Sequence, residues 1–121
     1  MTQGIQNDAL VENLRLELRR GSLVLAVLVQ LRTEHYGYTL RKALAHYGMD
    51  IDEGTLYPLL LKLEHEGSIA SEWGASENNR RARFYRLTAS GRRQLQEEAR
   101  EWEQTAAIIG RFFKVRAEDL T

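Results

Sequence analysis

The sequence contains no cysteine and a single proline. The lack of thiols excludes a disulfide framework, thiolate catalysis and a cysteine-ligated zinc site, and it fits a reducing compartment. A balance of Lys+Arg 17 against Asp+Glu 17 leaves no net charge, although a basic excess is the usual mark of a nucleic-acid binder. The longest apolar run, residues 23–29, is far short of a membrane span, and no basic start leads into an apolar run and a small-residue cleavage site. These absences predict a cytoplasmic protein with no membrane association. His35, His46 and His65 are too scattered for a zinc motif, and no phosphate-binding glycine loop, Ser/His/Asp arrangement or carboxylate dyad is recognisable. Neither an enzyme nor a cofactor or metal is expected.

What is present is a globular composition. A hydrophobic fraction of 43% over 121 residues suffices for one buried core and is too little chain for two domains. Its charge is sorted along the chain: Arg80, Arg81, Arg83, Arg86, Arg92 and Arg93 follow one another without an acid between them, and Glu97, Glu98, Glu101 and Glu103 come after. Screening confines such fields to roughly 10 Å at moderate salt, so a phosphate backbone responds to the local basic cluster.

The most informative stretch is residues 52–67. Asp52 is a helix-capping residue type, Leu56, Leu59, Leu60 and Leu63 recur on one helical side, and Gly67 supplies a left-handed stop. Turned at 100° per residue, this helix points Gly54, Pro58, Leu61 and His65 the other way, with Thr55, Tyr57 and Lys62 on its flanks. That side fits a major groove, and it also fits an ordinary surface helix. Pro58 removes one amide donor and presses on the Gly54 carbonyl, so the first turn is expected to be tilted or tightened.

Before this stretch, Leu10, Val11, Leu14 and Leu18 mark an amphipathic helix predicted to end before Gly21. Ser22 then caps a second helix, apolar nearly all round, as the centre of the core. Tyr36-Gly37-Tyr38 reads as a turn, residues 39–45 as a short helix with Arg41 and Lys42 outward, and residues 47–50 as a loop. A short helix, a glycine-containing turn and a more exposed helix make a helix-turn-helix. Residues 69–73 and 83–87 then alternate as a β-hairpin, with Arg80, Arg81 and Arg83 near its tip. Such a hairpin is a wing, or it merely closes the core.

Thr88 caps a long helix in which Leu95, Ala99, Trp102, Ala106, Ile109 and Phe113 alternate at four- and three-residue intervals, a heptad seam. At 1.5 Å per residue it would be on the order of 36 Å long, more than a small domain needs. It either folds back over its own core or pairs with a second copy in a homodimer.

Taken in order, these pieces resemble the PadR family of transcriptional regulators, in its short form. The residues carrying the resemblance are Arg20-Gly21-Ser22-Leu23, Tyr36-Gly37-Tyr38, Gly54-Thr55-Leu56-Tyr57-Pro58-Leu59-Leu60, Leu63-Glu64, Glu66-Gly67, Arg81, the run Arg83-Phe84-Tyr85-Arg86-Leu87-Thr88, and Gly91. The resemblance implies a mainly α protein with a small β-hairpin: a winged helix-turn-helix with an N-terminal amphipathic helix and a long C-terminal dimerisation helix. The expected division is 1–20 for the N-terminal helix, 21–88 for the DNA-binding domain and 89–121 for the dimerisation helix and tail.

It further implies a homodimeric repressor of a double-stranded, pseudo-palindromic DNA operator, released by a small molecule or stress signal. Thr55, Tyr57, Pro58 and Lys62 match the groove-entering helix, and Arg81 matches the wing arginine, with Arg80 and Arg83 beside it. Tyr38, Arg41 and Lys42 are candidate phosphate contacts, and Leu10, Leu14, Leu18 and the heptad residues are candidate dimer contacts. Trp102 falls where one branch of the family places effector-binding aromatics, so a planar aromatic or apolar effector and plain dimer packing are both open to it. Family wings often carry Gly-Arg-Pro where this chain has Arg80-Arg81-Ala82, which leaves the wing-tip geometry open. A protein-interaction module on a winged-helix scaffold, and a ligand-binding protein whose DNA contacts are secondary, are the alternatives.

Overall fold

Gly21 does not end the first helix. In the computed structural model, which describes residues 2–112 and 118, and of residues 2–8 and 13–18 the backbone alone, α1 runs unbroken over Thr2–Gln30. The expected break at Gly21-Ser22 is therefore corrected. A glycine inside a helix costs about 1 kcal/mol relative to alanine, and the packing just beyond it outweighs that: Leu23, Val27, Leu28 and Leu31 are all buried. Ser22 does not cap a new helix. Its hydroxyl donates back to the Arg19 carbonyl at 3.0 Å, the bond a mid-helix serine makes when no free amide is available.

The chain next forms β1 (His35–Tyr36) and α2 (Gly37–His46), so the expected turn at Tyr36-Gly37-Tyr38 is divided between a strand and a helix start. A strand of two residues has no periodicity to detect, and its pairing is set by what lies opposite. The Thr39 hydroxyl accepts from the Tyr36 backbone N–H at 3.1 Å and fixes the entry to α2. The ring of His35 lies between Thr33 and Thr39 hydroxyls at 3.3 and 3.0 Å, and burial lowers its pKa below the ordinary imidazole value. Beyond the end of helix α2, Gly48 turns the chain at φ 92°, and the Met49 N–H reaches the Leu44 carbonyl at 3.0 Å.

Helix α3 (Glu53–His65) is capped as its sequence indicates. The Asp52 carboxylate accepts from the Thr55 N–H at 2.8 Å, hydrogen bonding from Thr55 holds that carboxyl below its usual range, and Gly67 turns the chain at φ 82°. Pro58 neither breaks nor ends the helix. The Asp52 carbonyl accepts from both Thr55 and Leu56, at 3.2 and 3.0 Å, so what tightening there is belongs to the cap.

The wing comprises β2 (Ile69–Ala75) and β3 (Arg81–Leu87), and with β1 it forms a three-stranded antiparallel sheet of order β1-β3-β2, one strand more than the expected hairpin. Ile69 pairs with Leu87, Ser71 with Tyr85 and Trp73 with Arg83, the faces that alternation assigned. The core joins Leu28 of α1, Leu31 in the turn that follows it, Leu40 and Leu44 of α2, Leu56 and Leu60 of α3, and Ile69 and Leu87 at the root of the wing. Each such side chain contributes roughly 1.5–3 kcal/mol on burial.

Helix α4 (Ala89–Phe112) is tied to the wing root at Thr88. The Thr88 hydroxyl donates to the Gly67 carbonyl at 2.6 Å and accepts from the Gly91 N–H at 3.0 Å, while the Thr88 N–H reaches the Ser68 carbonyl at 3.1 Å. Gly91 is buried so closely against this turn that a Cβ there would lie 1.9 Å from the Ser68 oxygen. Leu95 packs against the core of its own chain, and from residue 101 to residue 112 every side chain of the helix is exposed. Gly91→Ala is expected to lower the unfolding free energy by about 2 kcal/mol through overpacking at a backbone contact. Chemical denaturation measures this, and an unchanged midpoint would contradict the close approach.

Candidate nucleic-acid interface

Helix α3 has four sides with different surroundings. Leu56, Leu60 and Leu63 anchor it in the core. One flank is locked to α2 and the wing. The Arg41 guanidinium donates from Nε to the Ile51 carbonyl at 3.1 Å and pairs with Glu53 at 3.3 Å, which pins the turn between α2 and α3. The Tyr57 ring lies against the start of α2, where a Cβ at Gly37 would fall 2.2 Å from the Tyr57 oxygen. Glu64 accepts from the Ser71 hydroxyl at 2.7 Å and pairs with Arg83 at 3.3 Å, joining α3 to both wing strands.

The opposite flank carries Thr55 and Lys62, which line an open groove of about 810 Å³ between α3 and α1. Leu23, Val24, Ile51 and Leu59 are among its apolar lining residues, and Arg19 and Arg20 of α1 lie beside it. Gly54, Leu61 and His65 are exposed on the remaining, outward side, and Pro58, also exposed, stands between that side and the groove, which it lines as well.

The wing presents its charges around an exposed indole. Arg81 and Arg83 lie over the Trp73 ring at 4.4 and 5.4 Å from its centroid, a cation–π arrangement that spreads the guanidiniums along the wing. The turn beyond is closed by the Ser76 N–H to the Arg80 carbonyl at 2.8 Å, and Asn79 takes φ 57°, a conformation asparagine tolerates. Arg80 is exposed in that turn. On the other face, Phe84 packs edge-on against Tyr36 with centroids 5.2 Å apart, and Arg86 lies 3.8 Å from Glu72.

The expected residues thus separate. Thr55, Pro58, Lys62, Arg80 and Arg81 are exposed with no ion pair among the described residues. Arg41 and Arg83 are paired with Glu53 and Glu64, while Tyr57 keeps 41% of its surface exposed with its ring against Gly37. Tyr38 is exposed, and the Lys42 ammonium lies 5.3 Å from its ring centroid. Sequence reasoning missed Arg19 and Arg20, which reach the groove because α1 continues past its glycine, and it missed Glu64 as the anchor of the wing. The spacing Glu64, Ser71, Arg83 carries no local signal for that contact.

Of the expected dimer residues, Leu10, Trp102 and Ile109 are exposed, as are Ile108 and Phe112. Ala106 is exposed and Ala99 half-buried. The side chains of Leu14 and Leu18, and Phe113, lie outside the described residues. Trp102 borders a crevice of about 550 Å³ shared with Gly21, Val24 and Leu25 of α1. Among the described residues, no helix is long and apolar enough to cross a membrane.

A capped helix with one outward side, preceded by a helix and turn and followed by an arginine-rich hairpin, defines a winged helix-turn-helix DNA-binding regulator. Comparison with known proteins agrees. Residues 24–97 match the transcriptional regulator PadR-like family. Transcriptional regulator Rv3488 of Mycobacterium tuberculosis is 37% identical over 76 residues, 63% of this chain and 70% of that protein. The crystal structure of a PadR family transcriptional regulator from Eggerthella lenta is similar with a TM-score of 0.74 and 40% identity, over 93% of this chain and 99% of that one. A PadR-like transcriptional regulator from Bacillus cereus gives a TM-score of 0.72 at 28% identity, over 80% and 96% of the two chains.

The chain belongs to the PadR-like family of transcriptional regulators. Its members regulate transcription and are not enzymes.

The Glu64–Arg83 tie is testable by a double-mutant cycle. Glu64→Gln and Arg83→Gln should show a coupling on the order of 1 kcal/mol in unfolding free energy, since the pair is part-exposed and reinforced through Ser71. Additive effects would mean that the wing is not held by this contact.

Proposed function

We propose that the protein is a homodimeric repressor in which α3 of each copy enters the major groove of one half-site of a pseudo-palindromic operator. Thr55, Pro58 and Lys62 would face bases and nearby phosphates, while Arg80 and Arg81 of the wing reach the flanking backbone or a narrow minor groove. The observation that carries this reading is the division of labour on α3: one side buried, one flank locked, and an outward side left open beside an exposed arginine-rich tip. In this reading Arg41, Arg83 and Tyr57 act as positioning residues, holding the angle between α2, α3 and the wing. Tyr38 in the first turn of α2 and Lys42 one turn further on, both exposed, would supply further phosphate contacts.

Dimerisation is supported by the apolar side chains left exposed on α1 and α4: Leu10, Val11, Trp102, Ile108, Ile109 and Phe112. Such a run on an amphipathic helix is the pattern of a surface covered by a second copy. Residues 21–88 would then be the reading unit, and residues 1–20 and 89–121 the parts that pair it.

The first test is binding to duplex DNA upstream of the protein's own gene, as a function of salt. The reading expects sequence-selective binding that weakens linearly in log salt, and Arg81→Ala should reduce that slope by about one unit while weakening all sequences alike. Salt-independent or sequence-blind binding would count against it.

Release by a planar apolar effector is supported by the exposed Trp102 indole beside the crevice between α1 and α4. In a Trp73→Phe protein, titration with aromatic ligands should quench the remaining tryptophan fluorescence and lower DNA affinity together. A flat titration, or quenching that leaves DNA affinity untouched, removes the effector role.

A further inference from the structure

The middle of the outward side of α3 is apolar. Gly54, Pro58 and Leu61 occupy it, with His65 a turn beyond, and Leu61 is 72% exposed. The polar side chains nearest to it on one flank are committed elsewhere: Glu53 to Arg41, Glu64 to Ser71 and Arg83. Tyr57 lies against the start of α2. Thr55 and Lys62 sit on the other flank, toward α1.

If α3 lies in a major groove, as proposed above, the strip of its outward side formed by Gly54, Pro58 and Leu61 offers the bases no side-chain donor or acceptor, and the Tyr57 hydroxyl, 41% exposed, lies at its edge. Base edges there present acceptors, amino donors and one apolar group, the C5-methyl of thymine. An apolar side chain pressed on a polar edge would leave that edge without water or a partner, which is unfavourable. Pressed on a thymine methyl, it removes apolar surface from water on both sides of the contact.

We propose that Leu61, with Pro58 one turn before it, reads thymine C5-methyl groups, and that Leu61 is thus a specificity-determining residue of this chain. The rise between the two positions is about 4.5 Å at 1.5 Å per residue. That compares with about 3.4 Å between stacked bases on a strand, so Pro58 and Leu61 address neighbouring steps. The half-site should hold thymine at one or two adjacent central positions, and recognition there depends on the methyl group rather than on Watson–Crick identity. Thr55 and Lys62 then set the register from the side.

The proposal rests on the groove-entry reading, and its test separates the two. The full chain is used to select binding sites from a random duplex pool, and each thymine of the enriched half-site is replaced by deoxyuridine, which keeps pairing and removes only the methyl. With the natural chain, one or two central positions should lose about fourfold in affinity, the value of one buried methyl-sized group. With Leu61→Ala, an exposed-site substitution whose fold is checked by thermal denaturation, affinity should fall severalfold and the deoxyuridine penalty should vanish at one of those positions. Indifference of the natural chain to deoxyuridine, or a penalty that persists undiminished in Leu61→Ala, overturns the assignment while leaving DNA binding intact. Unchanged affinity and consensus for Leu61→Ala would overturn it too, and would give Leu61 to a protein partner. Failure to enrich any sequence overturns the groove-entry reading itself.

Discussion

The fold depends on the burial of one leucine-lined side of α3. Leu56 and Leu60 are fully enclosed and Leu63 nearly so, and this fixes the rotation of the helix about its axis, because a turn of even one position would exchange a leucine for an outward residue. Everything else adjusts to that choice. The Arg41–Glu53 pair, the seat of Tyr57 on Gly37 and the Glu64–Ser71–Arg83 cluster all act on the same flank, and each adds a constraint on tilt that the leucines alone would leave free. What remains outward is determined by subtraction.

This arrangement reconciles a chain of zero formal charge with membership of a DNA-binding family. Two acids of the reading helix are paired within the chain, Glu53 with Arg41 and Glu64 with Arg83, and Asp52 is used as its cap, while Arg80 and Arg81 stand exposed at the wing tip. Four further glutamates, Glu97, Glu98, Glu101 and Glu103, crowd α4, on the other side of the Thr88 junction, and in the wing Glu72 lies beside Arg86. Charges more than about a Debye length apart hardly sense one another, so the total is a poor guide to the field at the wing. Membership of the same cluster also divides the arginines by task. Arg83, bonded to a carboxylate and a hydroxyl, is a strut, whereas Arg81, on the same indole, makes no ion pair among the described residues.

Much of this was legible in the sequence because it is written in short-range chemistry. Caps such as Asp52 and Thr88, the left-handed stop at Gly67 and the alternation along β2 and β3 each depend on residues a few positions apart. The break assigned at Gly21-Ser22 failed because a local preference of about 1 kcal/mol was set against burial of several leucines and valines downstream. Strand β1 escaped notice because two residues cannot alternate visibly, and its existence depends on Phe84 and Tyr85 far along the chain. Arg41 and Arg83 read as outward cations, and so they are by periodicity. Their engagement with Glu53 and Glu64 is a three-dimensional fact that spacing does not encode.

The central claim of the account is that two copies of α3, held in fixed relation by paired helices, read two half-sites on one face of a duplex. Half-site spacing tests it most directly. On a selected palindromic operator, inserting about 5 base pairs at the centre rotates one half-site to the opposite face, and about 10 restores it. The account predicts that affinity collapses toward the single-half-site value with the half-turn insertion and recovers in part with the full turn. Affinity indifferent to the insertion would contradict it, because a rigid pair of reading heads cannot follow a half-site around the helix.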